Sequence, residues 1–439
     1  MNAVVLAVVV MLVLSVARVH VVLSLLIGAL VGGLVGGLGL NNTILIFERG
    51  LAGGAKIAMS YAMLGAFAVA ISYSGLPLLM ANFLVKKIDV GAASTSTHIK
   101  WVLLAILVVV SISSQNIVPI HIAFIPLLIP PLLIAMTRLH LDRRAVACVM
   151  TFGLVATYMF LPYGFGDIFL KQILLGNIEK SGLNVVGINV MTAMTIPAIG
   201  MAVGLFIALF ITYKKPRKYL DINASLEQSA PVAVTPWRIT VALLAIILSF
   251  AAQLYTKSMM MGALLGFALF MASGVIRLRD ADNVFTQGVK MMAMIGFIMI
   301  AAQGFAEVIK ETNHIGPLVE ASSQLFAGSK GLAALVMLLV GLLVTLGIGS
   351  SFSTVPILAA IYVPLCISMG FSPLATVALI GTAGALGDAG SPASDSTLGP
   401  TAGLNADGQH DHMRDTVIPT FLHFNLPLLV AGWIAAMIL

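Results

Sequence analysis

The sequence predicts an all-helical integral membrane protein built from two inverted repeats, with about ten transmembrane helices, two re-entrant hairpins and two broken helices. Of its 439 residues, 60% are hydrophobic and only 9% are charged, and the mean hydropathy is +1.07. Several apolar stretches approach the roughly 20 residues that cross a bilayer as a helix. Two kinds of polar interruption and an internal repeat predict the hairpins, the breaks and the symmetry.

The first predicted repeat covers residues 1–213. Its apolar stretch at 101–137 is too long for one span, and the polar run SSQN at 113–116 and Pro119 interrupt it. Because such residues end a helix in lipid, we expect a hairpin that enters and leaves on one side of the membrane. Another span is broken by LPYGFGD at 161–167. The apolar stretches lie at 3–17, 20–40, 56–85, 101–137, 145–161 and 189–212, and a more polar patch lies at 41–54.

The second predicted repeat covers residues 239–439 and follows a polar linker at 214–238, which we expect in the cytoplasm. It shows a second hairpin at 331–371 and a second broken span in the run GALGDAGSPASDSTLGP at 384–400. That run holds glycines, prolines, hydroxyls and two carboxylates, and no lipid-crossing helix continues through such a composition. The other apolar stretches lie at 240–256, 258–276, 291–310 and 416–438, with a charged connection at 277–290.

Short motifs recur in the same order in the two halves. SSQNIVPI at 113–120 and SSFSTVPI at 350–357 share five of eight residues, and GAL occurs at 28–30 and again at 262–264. A repeat in a membrane protein is typical of a transporter whose binding site lies between the two copies.

The distribution of Lys and Arg predicts the orientation. If both hairpins are re-entrant and both termini lie outside, most of the 23 basic residues fall on the cytoplasmic side, as the positive-inside rule requires. The two repeats are then inverted relative to one another. We therefore expect a multi-pass protein of a bacterial-type inner membrane with its N- and C-termini outside.

The two hairpin tips and the two broken spans should meet near the middle of the membrane. Hydroxyls, amides, carboxylates and unwound carbonyls at these breaks supply the oxygen ligands that hard cations such as Na⁺ prefer. Because an aspartate inside a membrane is functional by default, we favour Asp388 and Asp395 as cation ligands or proton carriers over helix caps. For Asp167, beside Lys171, and for each hydroxyl alone, a structural role stays equally open. The predicted cation- and substrate-binding residues are Ser113, Ser114, Gln115, Asn116, Asp167, Ser350, Ser351, Ser353, Thr354, Asp388, Ser391, Ser394, Asp395 and Ser396.

The loop NADGQHDHMRD at 405–415 is rich in potential metal ligands. Its spacing matches no zinc or EF-hand pattern, so we favour a solvated loop, or one that covers the cytoplasmic mouth of the site, over a divalent metal centre. No cofactor is expected beyond Na⁺ and/or H⁺ as coupling ions. The potential ligands are Asp407, His410, Asp411, His412 and Asp415.

The run GDAGSPASDSTLGPTAGLNADGQHDHMRDT at 387–416 resembles the C-terminal signature of the bacterial Na⁺/H⁺ antiporter family related to NhaC, which includes an amino-acid (histidine-type) permease branch. The architecture is similar to the wider ion-transporter superfamily. This resemblance implies a homodimer, an elevator motion, and Na⁺ and a substrate carboxylate held between each hairpin tip and the broken helix that faces it. Those pairs are 113–116 with 161–167 and 350–354 with 387–396. Neither tip has the Ser-Asn-Thr triplet of the dicarboxylate branch, which argues against a dicarboxylate cargo.

These features predict a secondary active transporter, driven by a Na⁺ or H⁺ gradient, that moves a small solute across the inner membrane. Two versions stay open, namely Na⁺/H⁺ antiport and Na⁺- or H⁺-coupled symport of a histidine-like amino acid. No nucleotide-binding motif marks a primary pump, and nucleic acid is not an expected partner. The alternatives from other classes are a membrane-embedded enzyme that uses a metal in the 405–415 loop, and a channel.

Overall fold

The computed structural model describes residues 2–17, 19–76, 79, 96–116, 121–220, 235–256, 258–314, 317, 321, 328–348, 350–392 and 394–439. Within these ranges the regular secondary structure is helical, with no strand. We number the helices α1–α16 in chain order. They form two packed groups, one built around two long helices and one built around the predicted hairpins and breaks.

Two long helices pack along one another at the centre of the first group. α3 (Leu40–Tyr73) and α11 (Leu278–Glu311) each have 34 residues and pack against one another. Glycine permits this close approach, because a Cβ added at Gly65 would lie 2.2 Å from the carbonyl oxygen of Gly288. The helices that flank this pair are α1 (Ala3–Val16), α2 (Val21–Val35), α9 (Pro236–Thr256) and α10 (Met259–Ala272).

The long helices correct two predicted boundaries. Residues 41–54, expected as a polar patch between spans, belong to α3, and most of 277–290, expected as a charged connection, is the start of α11. A 34-residue helix is about 50 Å long at about 1.5 Å per residue, so its polar end extends beyond the roughly 30 Å hydrocarbon layer. α3 also bends by 41° between residues 40–55 and 58–73.

The second group contains the helices that surround the predicted breaks. Its continuous helices are α4 (Ser96–Asn116), α5 (His121–Arg138), α6 (Arg143–Phe160), α8 (Val190–Ile207, continued by the π-helical Ala208–Thr212), α12 (Lys330–Ile348), α13 (Ser351–Ser368), α14 (Pro373–Ala385) and α15 (Asp395–Leu404). Two further helices change their winding along their length. α7 consists of Phe165–Asp167, the π-helical Ile168–Leu175 and Gly176–Lys180, and α16 consists of the π-helical His412–Val417, Ile418–Thr420, the π-helical Phe421–Asn425 and Leu426–Ile438.

The two halves of the chain interlock in this second group. Helix α5, which follows the predicted tip of the first hairpin, packs against α15. Helix α13, which follows the predicted tip of the second, packs against α7. α6 from the first half also packs against α15. As a result, elements from both halves enclose the break between α14 and α15.

Six helical stretches of the described residues are long and apolar enough to cross a membrane, and the bent α3 would be a seventh. Five shorter apolar helices accompany them, among them α10 and parts of α5 and α13. The expectation of about ten spans and two re-entrant hairpins therefore stays a prediction. The helix breaks at 161–164 and 386–394 lie where the sequence predicts them.

Candidate functional site

The side chain of Asp388 accepts three hydroxyl hydrogen bonds in the break between α14 and α15. Ser394 donates to Oδ1 at 2.5 Å, Ser351 donates to Oδ2 at 3.1 Å, and the hydroxyl of Tyr158 also donates to Oδ2. Asp388 is 6% exposed, and none of the ion pairs among the described residues involves it. A buried carboxylate without a basic partner attracts a proton or a metal cation.

The backbone of the break explains why Asp388 lies off the helix axis. α14 ends at Ala385, and Gly387 adopts a positive φ of 87°, a conformation that favours glycine. The three residues that follow form a single 3₁₀ turn, Asp388–Gly390. The N–H of Gly387 donates to Asn425 Oδ1 on α16 at 3.1 Å, which anchors the turn to the last helix.

The donors to Asp388 come from three separate places in the chain. Tyr158 lies near the end of α6, Ser351 is the first residue of α13, and Ser394 caps the N-terminus of α15 by accepting the N–H of Ser396 at 3.1 Å. The hydroxyl oxygens of Tyr158 and Ser351 are themselves 2.9 Å apart. The hydroxyl and carboxylate oxygens around Asp388 therefore combine both halves of the sequence.

α15 is held against α6 beside this cluster. Thr151 on α6 donates to the carbonyl oxygen of Ser396 at 2.8 Å, and Thr397 donates to the carbonyls of Ser391 and Ser394. Asp395, at the start of α15, is half-buried and close enough to Asp388 for the two carboxylates to interact electrostatically. Its position in the first turn also suits the positive end of the helix dipole.

Asn116, beside the predicted tip of the first hairpin, contacts the start of α7. Asn116 Oδ1 accepts the N–H of Gly166 at 2.9 Å, and Ser114 donates to the carbonyl of Ser111 at 3.1 Å. Gln115 is 4% exposed, and its Oε1 has no hydrogen-bond partner among the described residues. Ser113 is half-buried. The tip beyond Asn116, residues 117–120, lies outside the described residues.

Three of the remaining predicted site residues, Asp167, Thr354 and Ser391, have partners away from Asp388. Asp167 forms an ion pair with Lys171 at 2.5 Å, and both side chains are partly exposed. Thr354 donates to the carbonyl of Ser350 one helical turn away at 2.8 Å, and Ser391 donates to the carbonyl of Leu346 at 3.3 Å. The side chain of Ser353 lies outside the described part of the structure. The geometry thus gathers Ser351, Asp388, Ser394 and Asp395 and leaves Asp167 in a separate pair.

A cluster of aromatic rings, which the sequence did not indicate, packs beside Asp388. Tyr158 contacts Phe169 and Phe352 with ring centroids 4.8 and 5.4 Å apart, and Phe165 lies 4.7 Å from Phe352. Tyr61 of α3 joins this cluster at 5.8 Å from Phe165. The rings exclude water from one side of Asp388, which strengthens electrostatic interactions there. A tyrosine within the apolar stretch 145–161 was the one available sequence signal.

Two arginines form ion pairs with aspartates of the 405–415 loop. Asp407 receives two hydrogen bonds from Arg143, each 2.7 Å long, and Asp415 receives one from Arg217 at 2.8 Å. Burial alone would raise the pKa of Asp407, but the hydrogen bonds and charge of Arg143 lower it overall. No group of three or more potential metal ligands is found in the described residues. The loop therefore covers the ends of α6 and α15 through ion pairs.

His410 lies inside this loop rather than in solvent. Its Nε2 is 2.7 Å from the hydroxyl of Thr416, and the residue is 1% exposed. Burial lowers the pKa of His410 to about 4, a shift that Asp415 opposes and Arg143 reinforces. The imidazole is therefore neutral at physiological pH.

The chain resembles three membrane proteins over their full length. It is 57% identical over 441 residues to an uncharacterized membrane protein of Vibrio parahaemolyticus, with 100% of both chains covered. It is 53% identical over 450 residues to an uncharacterized membrane protein of Haemophilus influenzae, covering 100% of this chain and 99% of the relative. It is 50% identical over 446 residues to the putative amino acid transporter YuiF of Bacillus subtilis, with 100% of both chains covered.

Two solved structures share the fold. Neisseria gonorrhoeae MtrF, described as illuminating a class of antimetabolite efflux pumps, gives a TM-score of 0.59 at 15% identity, covering 91% of this chain and 85% of that one. The Alcanivorax borkumensis YdaH transporter, described as having an unusual topology, gives a TM-score of 0.56 at 15% identity, covering 90% and 87%. At this level of identity the likeness concerns the fold alone.

Two family models match the sequence. The model described as the Na⁺/H⁺ antiporter family matches residues 149–433, and the model described as the Na⁺-H⁺ antiporter family matches residues 2–88. The resemblance predicted from residues 387–416 is thereby confirmed. The chain belongs to the Na⁺/H⁺ antiporter family, and it is a multi-pass membrane transporter rather than an enzyme.

Proposed function

We propose that this transporter is a secondary active carrier in which Asp388 binds the coupling cation, either Na⁺ or H⁺. The observation that carries this proposal is the set of three hydroxyl groups that converge on a buried carboxylate with no basic partner in the described chain. Hydroxyl oxygens and a carboxylate are suitable ligands for a hard cation. The same carboxylate also takes a proton.

One carboxylate that alternates between Na⁺ and H⁺ is sufficient for exchange. When Na⁺ leaves, the hydroxyls of Tyr158, Ser351 and Ser394 donate to the carboxylate, as observed here. When Na⁺ is bound, each hydroxyl can rotate its proton away and present a lone pair instead. Because Na⁺ and H⁺ compete for Asp388, the apparent affinity for Na⁺ should fall as the pH falls.

The two-repeat division at 1–213, 214–238 and 239–439 is part of the proposal. In support of it, helices of similar length recur in the same order, as the 34-residue α3 and α11 illustrate. We propose that α3 and α11 belong to a scaffold and that the helices around Asp388 move against it in an elevator-type motion. The homodimer, the inner-membrane location and the termini outside belong to the same model.

The test of cation coupling uses purified protein in proteoliposomes. Vesicles loaded with Na⁺ are diluted into Na⁺-free buffer, and a trapped dye reports the interior pH. Exchange acidifies the interior, and Asp388→Asn should abolish this signal. The matched control is Asp167→Asn, which removes a carboxylate in a partly exposed ion pair and should retain at least half of the rate. Loss of activity in both variants, or in neither, would contradict the assignment to Asp388.

A second candidate is symport of an amino acid with the same cation. Two observations favour it, namely the 50% identity to the putative amino acid transporter of Bacillus subtilis and the amide atoms of Gln115 and Asn425 that have no hydrogen-bond partner among the described residues. Pure exchange needs no such groups for a cargo. Uptake of radiolabelled amino acids that requires an inward cation gradient would establish symport, and Na⁺-driven pH change without any amino acid would establish exchange.

A further inference from the structure

Asn425 has a fully buried amide with an unused donor group. It lies within α16, a helix that the predicted site did not include, and is 0% exposed. Its Oδ1 accepts the N–H of Gly387 at 3.1 Å, and its Nδ2 has no hydrogen-bond partner among the described residues. A buried amide nitrogen without a partner has lost its hydrogen bonds to water without replacement, so it demands an explanation.

The orientation of this amide follows from its one hydrogen bond. A backbone N–H donates only, so the atom of Asn425 that faces Gly387 has to be the oxygen. Both N–H bonds of Nδ2 then point elsewhere. The group they meet must be an acceptor, which excludes Na⁺ and includes the oxygens of a solute.

Asn425 lies in an irregular part of its helix and against the turn that carries Asp388. Asn425 ends the π-helical segment Phe421–Asn425, and π-helical turns within α-helices are frequent at functional sites. Nδ2 lies directly over the turn that carries Asp388, because a Cβ added at Gly390 would be 2.8 Å from it. The donor amide therefore lies against the turn whose first residue is Asp388.

We propose that Asn425 binds a carboxylate oxygen of the transported solute through Nδ2. This inference rests on the proposed function, since it requires a cation at Asp388. An ionised Asp388 repels a second carboxylate beside it, whereas Na⁺ or H⁺ at Asp388 removes that repulsion. The solute is then bound tightly only with the cation, and by linkage the cation is bound more tightly with the solute. Asn425 thus contributes to coupling as well as to specificity.

The experiment measures equilibrium binding to the detergent-purified, full-length protein. The probes are the twenty radiolabelled L-amino acids, tested with and without Na⁺ at two pH values. For each amino acid that binds, its carboxamide is used as a competitor, because it keeps the amine and side chain but lacks the carboxylate. We expect the carboxamide to bind at least 10-fold more weakly than the acid, and Na⁺ or acid pH to tighten binding of the acid.

The variant Asn425→Asp keeps an oxygen for Gly387 and replaces the donor with an acceptor. We expect it to weaken amino-acid binding about 100-fold or more and Asn425→Ala about 10-fold. Asn177→Asp is the matched control, because Asn177 is also buried but its Nδ2 already donates to the carbonyl of Ile173 at 2.6 Å. It should bind normally. Size-exclusion profiles identify any variant that fails to fold, and the carboxamide comparison needs no variant at all.

The outcomes separate this inference from the proposed function. Equal binding of acids and carboxamides, or unchanged affinity in folded Asn425 variants, overturns the role of Asn425 even if cation-driven flux is present. If no amino acid binds the wild-type protein under any condition, the inference is overturned, and Na⁺-driven pH change then decides whether Asp388 still acts in exchange. If Asp388→Asn transports normally, the proposed function fails and the inference fails with it.

Discussion

Replacing Asp407 by alanine should destabilise the protein substantially. Arg143 is 0% exposed, and its two terminal nitrogens each donate to Asp407 at 2.7 Å. Removing one partner of a buried ion pair usually costs about 3–5 kcal/mol, because the other charge stays buried without compensation. The Leu404 carbonyl and the Thr137 hydroxyl, both 3.3 Å away, still accept from Arg143. We therefore expect a loss near the lower end, about 3 kcal/mol.

The same pair is neutralised in a double variant. Arg143→Met with Asp407→Leu removes both charges and keeps much of the buried volume, so we expect a loss well below that of Asp407→Ala, about 1 kcal/mol. The measurement is equilibrium unfolding in detergent, followed by tryptophan fluorescence. Asp280→Ala is the control, because Asp280 has a 3.8 Å contact with Arg279 and both side chains are exposed. It should change the stability by less than about 0.5 kcal/mol.

The single and double variants also test how two helices are joined, because Arg143 begins α6 and Asp407 follows α15. α6 also carries Tyr158, which donates to Asp388, so the pair fixes the far end of the helix that positions this donor. A loss below 1 kcal/mol for Asp407→Ala, or a double variant no more stable than the single one, would refute the reasoning. The pair would then be dispensable for joining the two halves.

Two further predictions concern Tyr158 and His410. Tyr158→Phe keeps the ring packed on Phe169 and Phe352 but removes a hydroxyl from Asp388. A hydrogen bond to a charged group is worth about 1.5–3 kcal/mol, so losing it destabilises the ionised, cation-free carboxylate and lets protons compete better with Na⁺. The apparent affinity for Na⁺ in flux assays should therefore fall about 10-fold or more at acidic pH, and an unchanged affinity would exclude this hydroxyl as a partner of Asp388. Because the pKa of His410 falls from 6.5 to about 4 on folding, the unfolded chain binds the proton first, and stability should drop by roughly 3 kcal/mol between pH 6.5 and pH 4. His410→Gln should remove that part of the acid sensitivity in unfolding experiments, and an unaltered pH dependence would count against it.

The sequence predicted where helices break more reliably than it predicted how long each helix is. The composition of 384–400 is incompatible with a continuous helix, and the structure indeed ends α14 at Ala385 and begins α15 at Asp395. By contrast, hydropathy placed a boundary before residue 291, although α11 begins at Leu278. Hydropathy records where lipid ends, and a helix with a charged, solvated extension gives the same signal as a loop.

The candidate site was predicted only in part, for a related reason. Ser351, Asp388 and Ser394 stand out because a polar residue in an apolar sequence is costly to bury and therefore conspicuous. Tyr158 and Asn425 are just as close to Asp388 or to its turn, but their neighbours in the sequence belong to ordinary apolar spans. Their partners lie 230 and 38 residues away in the chain, and such pairings follow from how the helices pack.

This difference has a physical consequence for how the site works. Residues at the breaks include groups whose cost of burial is met locally by capping a helix end, as Ser394 illustrates. Residues on continuous helices, such as Tyr158, reach Asp388 only while α6 and α15 stay packed together. Thr151 and Arg143 hold that packing at two further points along α6. If α6 separated from α15 during transport, Asp388 would lose a donor in a buried environment, so we expect both helices to move as one body.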